Sequence, residues 1–478
     1  MDTPLYLTIG ELGDGLRRRQ FSSVELTRAA LDRLESIGGR YNAVASIMHE
    51  RAVREAHAAD RMLRDGRHRG SLLGIPYGAK DLLAAVGAPT TWGAPPFARQ
   101  TFDYDAAVVE SLRRAGAVLT AKLAMIELAG GGGYRYASAS LQGPCRNPWN
   151  PQHWSGGSSS GTGAAVAAGL VPFGIGSETS GSILSPSSNC GVTGLRPTYG
   201  LVSRYGAMAL AWTMDKIGPM CRSAEDCGLV LEAIAAPDPR DPGSAGRVFR
   251  MTRKARQRLS ALRVGYVAGD FEQGMHRSAR GVMQDAVAAV RSLGVRWKRI
   301  ALPDLPIDAA ARTIIRAEGS AAFQGLLRGR GLPPLADRRQ AIGLRAGLEV
   351  TAVDYLNAMR IRRLLQDAFA RLFTEVDVII APTRFAPAGR IDEPIDPLWR
   401  SRGGGGMGVA LVPAGNLVGI PALSLPCGFT SSGLPVAIQL VGRPFEEGTL
   451  IDFGRAFQGI TDWHRRTPPI PWKPPRRH

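Results

Sequence analysis

Two serine-rich loops carry the side chains best suited to covalent chemistry. They span residues 156–163 and 176–188, and both are dense in glycine. A glycine-rich loop that runs into a helix presents backbone N–H groups, which can cradle a phosphate or stabilise an oxyanion. The first loop lacks the Gly-Lys-Ser/Thr ending of a phosphate loop, and Val166 stands where a dinucleotide fingerprint has its third glycine. The pattern therefore favours serine chemistry over nucleotide binding.

Two ways of activating a serine fit these residues. The segment 157–161 matches the G-x-S-x-G nucleophile elbow with Ser159 as nucleophile, an arrangement that needs a downstream histidine such as His464. His153 precedes the serines and is more typical of a hydrogen-bonded loop residue. Alternatively, a lysine whose pKa is lowered by burial can act as the base, whereas arginine keeps its proton.

Lys80 is the candidate for such a lysine base. Only six of the 59 Lys and Arg residues are lysines, and Lys80 lies in the apolar, glycine-punctuated segment 74–81. Taken alone, an ordinary ion pair between Lys80 and Asp81 is the simpler interpretation. The wider pattern of the chain decides between the two.

The chain resembles the amidase signature family, which includes the glutamine-hydrolysing A subunit of tRNA-dependent amidotransferases. The resemblance covers most of the chain and is carried by motifs in the family's order and approximate spacing. These motifs are residues 74–81, 146–150, the two serine-rich loops, 191–200, 215–219 and 416–443.

The resemblance implies a Ser/Ser/Lys catalytic triad with Lys80 as base, Ser158 as bridging serine and Ser182 as nucleophile. It also implies a cis peptide bond between Gly157 and Ser158, and no cofactor or metal. Ser159, Ser160 and Ser177 then become hydroxyls that pack the loops. The backbone N–H groups expected to stabilise the oxyanion are those of Thr179, Ser180, Gly181 and Ser182.

The second loop departs from the family pattern at three positions. Glu178 replaces an aspartate, Ser180 replaces a glycine, and Leu184 stands where an arginine is usual. Residues 130–136 also differ from the glutamine-hydrolysing subunit, so transfer of its substrate to this chain is in doubt. Four side chains are candidates for an apolar substrate pocket, with core packing as the alternative: Tyr134, Tyr136, Met208 and Trp212.

Alternating helix and strand patterns must position these loops. Apolar periodicity predicts helices over residues 22–37, 50–65, 105–115, 276–293, 309–328 and 354–373, and strands over 117–120, 262–267, 295–302, 376–381 and 436–441. We expect an α/β fold, a single large amidase-signature domain over residues 1–478, with a central mixed twisted β-sheet covered by helices on both faces.

Four regions are expected within this one domain. The motif-bearing core covers about residues 70–235, and a more variable segment of helices and strands covers about 240–400. Residues 403–442 carry no charge and contain four prolines, so they predict short strands that return to the sheet rather than a membrane span. The basic, proline-rich tail covers 465–478.

Composition excludes several other classes of protein. The 478 residues are 44% hydrophobic and 21% charged, which is enough apolar mass for a large core. The five cysteines are too few and too scattered for a disulfide framework or a zinc site, so we expect buried thiols. No secretory signal is evident, which makes the cytoplasm the default location.

The net charge of +18 does not by itself indicate nucleic-acid binding, because the arginines are spread along the chain among acids. The predicted function is hydrolysis of a carboxylic amide C–N bond through a serine acyl-enzyme, which releases ammonia or an amine from a small-molecule substrate. One alternative is the glutaminase (A) subunit of a tRNA-dependent amidotransferase. Another is an inactive, basic RNA-binding protein with the same fold. We expect no membrane or nucleic-acid partner and allow for a homodimer.

Overall fold

The computed structural model describes residues 3–66, 70–252, 259–272, 274–329, 331–395 and 411–470. The start of the predicted segment 403–442 and the tail beyond residue 470 lie outside these ranges. The described residues form one large α/β domain around a sheet of eleven strands, in the order β1-β3-β2-β4-β6-β5-β10-β11-β9-β7-β8. The predicted fold class is confirmed.

The strands are β1 (Val44–Ile47), β2 (Pro76–Lys80), β3 (Val118–Leu123), β4 (Phe173–Glu178), β5 (Thr193–Arg196), β6 (Lys216–Cys221), β7 (Arg263–Tyr266), β8 (Arg296–Arg299), β9 (Val378–Pro382), β10 (Ala422–Phe429) and β11 (Pro435–Gly442). The sheet is mixed, as expected. β2 is parallel to both β3 and β4, and β7 is parallel to both β8 and β9. The strands between these groups pair antiparallel.

The helices are α1 (Ile9–Arg17), α2 (Ser23–Ser36), α3 (His49–Arg64), α4 (Ala107–Arg114), α5 (Ser160–Ala167), α6 (Leu184–Cys190), α7 (Ala224–Ile234), α8 (Ala268–Glu272), α9 (Arg280–Ser292), α10 (Ile307–Ala322), α11 (Gln324–Leu327), α12 (Arg338–Ala346), α13 (Ala352–Glu375), α14 (Leu411–Val418) and α15 (Glu447–Gly459). Helix α2 begins where its sequence predicts, because Ser22 and Glu25 form a capping box.

Both faces of the sheet are buried. Along β10, Leu423 and Leu425 belong to one hydrophobic cluster, whereas Ala422 belongs to another. Successive side chains of a strand point to opposite faces, so the two clusters lie on opposite sides of the sheet. The uncharged segment thus supplies interior strands of the sheet. Among the described residues, no helix is long and apolar enough to cross a membrane.

The topology brings the two serine-rich loops to one edge of the sheet. β2 and β4 are parallel neighbours, so their carboxyl ends, at Lys80 and Glu178, lie side by side. The first loop leads into α5, and α5 returns the chain to the start of β4. Helix α5 is built from small residues because it packs closely, and Gly161 lies directly against the backbone of Ala43 and Ala124.

Alanine at Gly161 should disrupt this packing. A Cβ atom there would lie 2.3 Å from Ala43 O and 2.5 Å from Ala124 N, and backbone atoms cannot move aside cheaply. We expect Gly161→Ala to lower the free energy of unfolding by at least about 2 kcal/mol. Gly281, also helical, has nothing within 4 Å of that position. Gly281→Ala should therefore be neutral or stabilising by up to about 1 kcal/mol. Chemical denaturation compares the two, and equal effects would contradict the packing described.

Candidate active site

Lys80 ends β2 and is completely buried. Its Nζ lies 2.8 Å from Ser158 Oγ and 2.9 Å from Ser177 Oγ. The ion pair with Asp81 that the sequence allowed does not form, because Asp81 instead pairs with Lys122 at 2.8 Å. The amine of Lys80 is therefore held by two serine hydroxyls, without a carboxylate in direct contact.

Burial lowers the pKa of Lys80 to about 7. The loss of water around the charged ammonium is the main cause, and the negative charges of Asp215 and Glu178 offset part of it. At neutral pH a large fraction of Lys80 is thus unprotonated. A neutral amine next to a hydroxyl can accept its proton, which is the property that the lysine interpretation requires.

Ser158 lies in the loop before α5 and is also buried. The peptide bond between Gly157 and Ser158 is cis, as the resemblance implied. The backbone carbonyl of Ser158 accepts a hydrogen bond from Ile126 N at 3.1 Å. This hydrogen bond ties the loop to the segment that follows β3.

Ser182 lies in the turn between β4 and α6 and is partly exposed. Its backbone carbonyl accepts a hydrogen bond from Ser159 N at 3.3 Å, which joins the two serine-rich loops. In the described part of the chain, Ser182 Oγ makes no hydrogen bond. The structure thus places Ser182 on the loop beside Ser158 and leaves its hydroxyl open toward solvent.

The turn around Ser182 also presents unpaired donors. Within the described ranges, no protein acceptor takes the backbone N–H of Ser180, Gly181 or Ser182. Gly181 has a φ of +90°, a conformation that favours glycine. Three adjacent N–H groups next to a serine are what an oxyanion would need for stabilisation.

The buried carboxylate of Glu178 holds this turn through hydrogen bonds. Its Oε2 accepts the N–H groups of Ile183 and Leu184, at 2.8 and 3.0 Å, and its Oε1 accepts from Arg196 and Asn416. Burial raises the pKa of Glu178, but the charge of Arg196 and these hydrogen bonds outweigh burial, so the pKa lies below its usual value. The carboxylate therefore stays ionised and holds the start of α6 in place.

Three residues near Lys80 were not identified from the sequence. Ser177, assigned to loop packing, instead contacts Lys80 because it follows the strand beside β2. Asp215 is half-buried and accepts a hydrogen bond from Thr179 Oγ1 at 2.6 Å. Lys216 lies opposite Glu178 on the neighbouring strand β6, as its register partner. Its buried Nζ has no hydrogen-bond partner among the described residues. An apolar segment around a rare lysine, the signal used for Lys80, also describes Lys216.

The structure gives no support to Ser159 as nucleophile. Ser159 is fully buried, and its hydroxyl bonds to the backbone of Ser177. His464 lies near the end of the described chain, where its carbonyl accepts a hydrogen bond from Arg222. His153 forms a backbone bridge with Arg390. Ser160 packs in its loop as expected and donates to Ala124 O at 3.4 Å.

A cavity of about 220 Å³ adjoins the site. Two of the four predicted pocket residues, Met208 and Trp212, line it together with Ser177, Thr179 and Asp215. Tyr134 and Tyr136 do not, because the glycine run before them turns Tyr134 against Trp154 and leaves Tyr136 exposed. In the ranges described, no three His, Cys, Asp or Glu side chains lie close enough together to hold a metal ion.

Comparison with known proteins identifies the family to which the chain belongs. The family model described as Amidase matches residues 25–451. The chain belongs to the amidase signature family. It is 39% identical over 490 residues to the A subunit of glutamyl-tRNA(Gln) amidotransferase from Moorella thermoacetica, an alignment that covers 97% of this chain and 99% of that protein.

Solved structures of amidase signature proteins share the fold. One is a chain from a vestigial protein complex that bears on the origins of an s-triazine catabolic enzyme, with a TM-score of 0.85 and 30% identity over 95% of this chain and 98% of that one. Another is the peptide amidase of Stenotrophomonas maltophilia, with a TM-score of 0.80 and 29% identity over 97% and 98% of the two chains.

The three departures from the amidase signature pattern now have a structural account. The longer acid at Glu178 still reaches the start of α6. Ser180 does not adopt a positive φ, so its extra side chain is tolerated and its N–H remains available. Leu184 is buried in an apolar cluster with Met214 and Leu411, so the hydrophobic residue fits the environment of this chain.

The pKa of Lys80 predicts how activity varies with pH. Only the neutral amine can accept a proton, so kcat/KM should rise with pH through an apparent pKa of about 7. A free lysine titrates near 10.5, and unfolding therefore takes up a proton between about pH 7 and 10.5. Because the unfolded chain binds this proton and the folded chain does not, the buried Lys80 lowers the stability of the fold. Lys80→Met removes this cost, so the variant should lose activity without a lower melting temperature. Activity that stays constant down to pH 5 would contradict this.

Loss of the charge at Glu178 should be costly. Glu178→Gln leaves Arg196 buried without a counter-ion, and such changes cost about 3–5 kcal/mol of unfolding free energy. The matched control is Glu110→Gln, which removes an exposed ion pair with Arg240 and should cost less than about 1 kcal/mol. Urea denaturation measures both, and comparable losses would show that Glu178 is not the support of this turn.

Proposed function

We propose that this chain cleaves a carboxamide C–N bond through an acyl-enzyme on Ser182. The contact between neutral Lys80 and Ser158 supports this most directly. Lys80 takes a proton from Ser158, and Ser158 takes one from Ser182 as Ser182 Oγ bonds to the amide carbonyl carbon. Ser158 then gives a proton to the departing nitrogen as the C–N bond breaks, and Lys80 returns its proton to Ser158. Water attacks the acyl-enzyme by the same route and releases the acid.

The turn around Ser182 supplies the electrostatic part of this proposal. As the carbonyl oxygen becomes negative, the N–H groups of Thr179, Ser180, Gly181 and Ser182 stabilise it. Loss of one such donor in a serine hydrolase costs about 3–4 kcal/mol of transition-state stabilisation. In the resting structure, the loops of Ser158 and Ser182 are joined by the hydrogen bond from Ser159 N to Ser182 O. Catalytic hydrogen bonds between such serines often tighten only when substrate binds.

Between a free-standing amidase and one component of a larger enzyme, the comparisons favour the component. The sequence alone favoured the free-standing hydrolase and left the amidotransferase subunit as an alternative, so the comparisons reverse this preference. Identity is 39% with the amidotransferase component of Moorella thermoacetica and 29% with the peptide amidase. We therefore propose that the chain supplies the nitrogen of an amide to a partner protein, with glutamine as the first substrate to test.

One exposed surface supports a protein partner. Val353, Leu356 and Leu364 lie on one side of α13, and each residue is more than half exposed, at 66%, 55% and 56%. Ile342 and Leu348, just before this helix, are also exposed. Exposed apolar side chains that share one helix face are typical of a surface that another protein covers.

Labelling and substitution test the catalytic assignment. A fluorophosphonate probe should label Ser182, and Ser182→Ala should abolish both labelling and amide hydrolysis, with a loss of about 10⁴-fold or more in kcat. The kcat of Ser158→Ala should also be lower than that of the wild-type chain by several orders of magnitude. The control is Ser160→Ala, which removes a loop hydroxyl that donates to Ala124 O and contacts neither Lys80 nor Ser158 in the hydrogen bonds described, and it should keep most activity. Labelling at Ser159 would overturn the assignment.

Purification from the native host tests the partner. The proposal of a multi-chain enzyme predicts that other chains copurify in fixed proportion, and that glutamine hydrolysis falls when they are removed. Full activity of the isolated chain on simple amides would instead favour a free-standing amidase. Tight RNA binding at moderate salt without hydrolysis would favour the inactive RNA-binding alternative.

A further inference from the structure

The glycine run of residues 130–133 makes room for the ring of Tyr134. A Cβ atom at Gly130 would lie 2.6 Å from Tyr134 Cε1, so the ring occupies the space that a side chain there would need. Gly130 also has a φ of +89°, a conformation that favours glycine. The ring packs edge to face with Trp154, with 6.1 Å between the ring centroids. The backbone of the glycine run and the indole ring therefore fix the position of Tyr134.

The hydroxyl of Tyr134 lies against the loop that carries Ser158. A Cβ atom at Gly157 would lie 3.2 Å from Tyr134 Oη, and Gly157 directly precedes Ser158. Arg384 links this region to the other serine-rich loop. Its charge acts on Tyr134, and its Nη1 donates a hydrogen bond to Ser185 Oγ at 2.6 Å, at the start of α6. The hydroxyl of Tyr134 thus lies where the two serine-rich loops meet.

This hydroxyl is available to a ligand. Tyr134 is half-buried, and among the described residues its Oη makes no hydrogen bond. Trp154 Nε1 also lacks a partner but is sealed from solvent, whereas Tyr134 Oη is not. Burial raises the pKa of Tyr134 to about 12, so the phenol stays neutral at physiological pH. A neutral phenol oxygen can accept a hydrogen bond from an N–H group.

The proposed reaction assigns a side of the site to each part of the substrate. Ser158 gives its proton to the departing nitrogen, so this nitrogen lies at Ser158, beside Tyr134. The cavity that Met208 and Trp212 line does not include Tyr134, which leaves the cavity for the acyl part. As the nitrogen takes up the proton it gains positive charge, and its N–H groups become stronger hydrogen-bond donors. An acceptor for such an N–H therefore stabilises the transition state more than the bound substrate.

We propose that Tyr134 Oη accepts a hydrogen bond from the N–H of the departing nitrogen, so that this chain cleaves carboxamides in preference to the esters of the same acids. The inference rests on the proposed function of Ser182. An ester oxygen carries no hydrogen to donate, and an alkoxide departs more readily than an amine. The contact with Tyr134 therefore assists the step that makes amides difficult to cleave.

Pairs of an amide and a methyl ester of one acid test the proposal: butyramide against methyl butyrate, and glutamine against glutamic acid γ-methyl ester. Both members of a pair form the same acyl-enzyme on Ser182, so they differ only in the departing group. Tyr134→Phe should lower kcat/KM on the amide by about 10–100-fold, the range for a lost hydrogen bond to a charged group, and leave the ester within about threefold. Equal losses on amide and ester, or unchanged cleavage of the amide, would overturn the proposal.

The control variant is Tyr266→Phe. Tyr266 is also half-buried and packs edge to face with Trp297, at 5.2 Å between the ring centroids, but it lies on β7, far along the sheet from β2 and β4. This variant should leave both members of each pair within about twofold. Circular dichroism should show Tyr134→Phe to be folded, because the ring that packs on Gly130 and Trp154 is retained.

Two further measurements separate this proposal from the one on catalysis. A fluorophosphonate has no departing nitrogen, so Tyr134→Phe should label at Ser182 within about threefold of the wild-type rate. Absence of both labelling and amide cleavage in the wild-type chain would refute the proposed function. Calorimetry of Ser182→Ala protein then tests Tyr134 alone. Butyramide or glutamine should bind several-fold more tightly than its ester, and the added Tyr134→Phe change should remove the difference. The same affinity for amide and ester would refute the role of Tyr134.

Discussion

The contact between Lys80 Nζ and Ser158 Oγ, enclosed away from water, is the constraint on which the rest of the site depends. In water the amine would keep its proton and could not act as a base at neutral pH. Enclosure requires that every element around it packs closely, which is consistent with the short side chains of α5 and the interior position of β2 and β4 in the sheet. The fold thus gives up some stability to bury a lysine, and the burial lowers the pKa of its amine to about 7.

Electrostatic balance around this lysine comes from residues on neighbouring strands. Glu178 and Asp215 keep the pKa of Lys80 from falling further, and Arg196 keeps Glu178 ionised. Glu178 in turn fixes the turn whose N–H groups surround Ser182. The same few charges therefore set the pKa of Lys80 and shape the proposed oxyanion site, so substitutions among them should not act independently.

The sequence predicted much of this because its signals were local. The capping box at Ser22 and the apolar helix and strand patterns located several elements, and the family motifs selected Lys80 and Ser158 before any contact was known. Contacts between distant segments were not predictable in the same way. Nothing near Arg384 in the chain indicates Ser185, 199 residues away, and the roles of Ser177 and Asp215 follow from strand pairing that periodicity does not specify.

Direct titration of Lys80 tests the central claim most closely. The chain has only six lysines, so ¹³Cε-labelled lysine gives few NMR signals, and the signal absent from Lys80→Met identifies this residue. The account predicts a titration midpoint of about pH 7, well below that of an exposed lysine. A Lys80 signal that stays protonated above pH 9 would show that the amine cannot serve as the base, and would contradict the account.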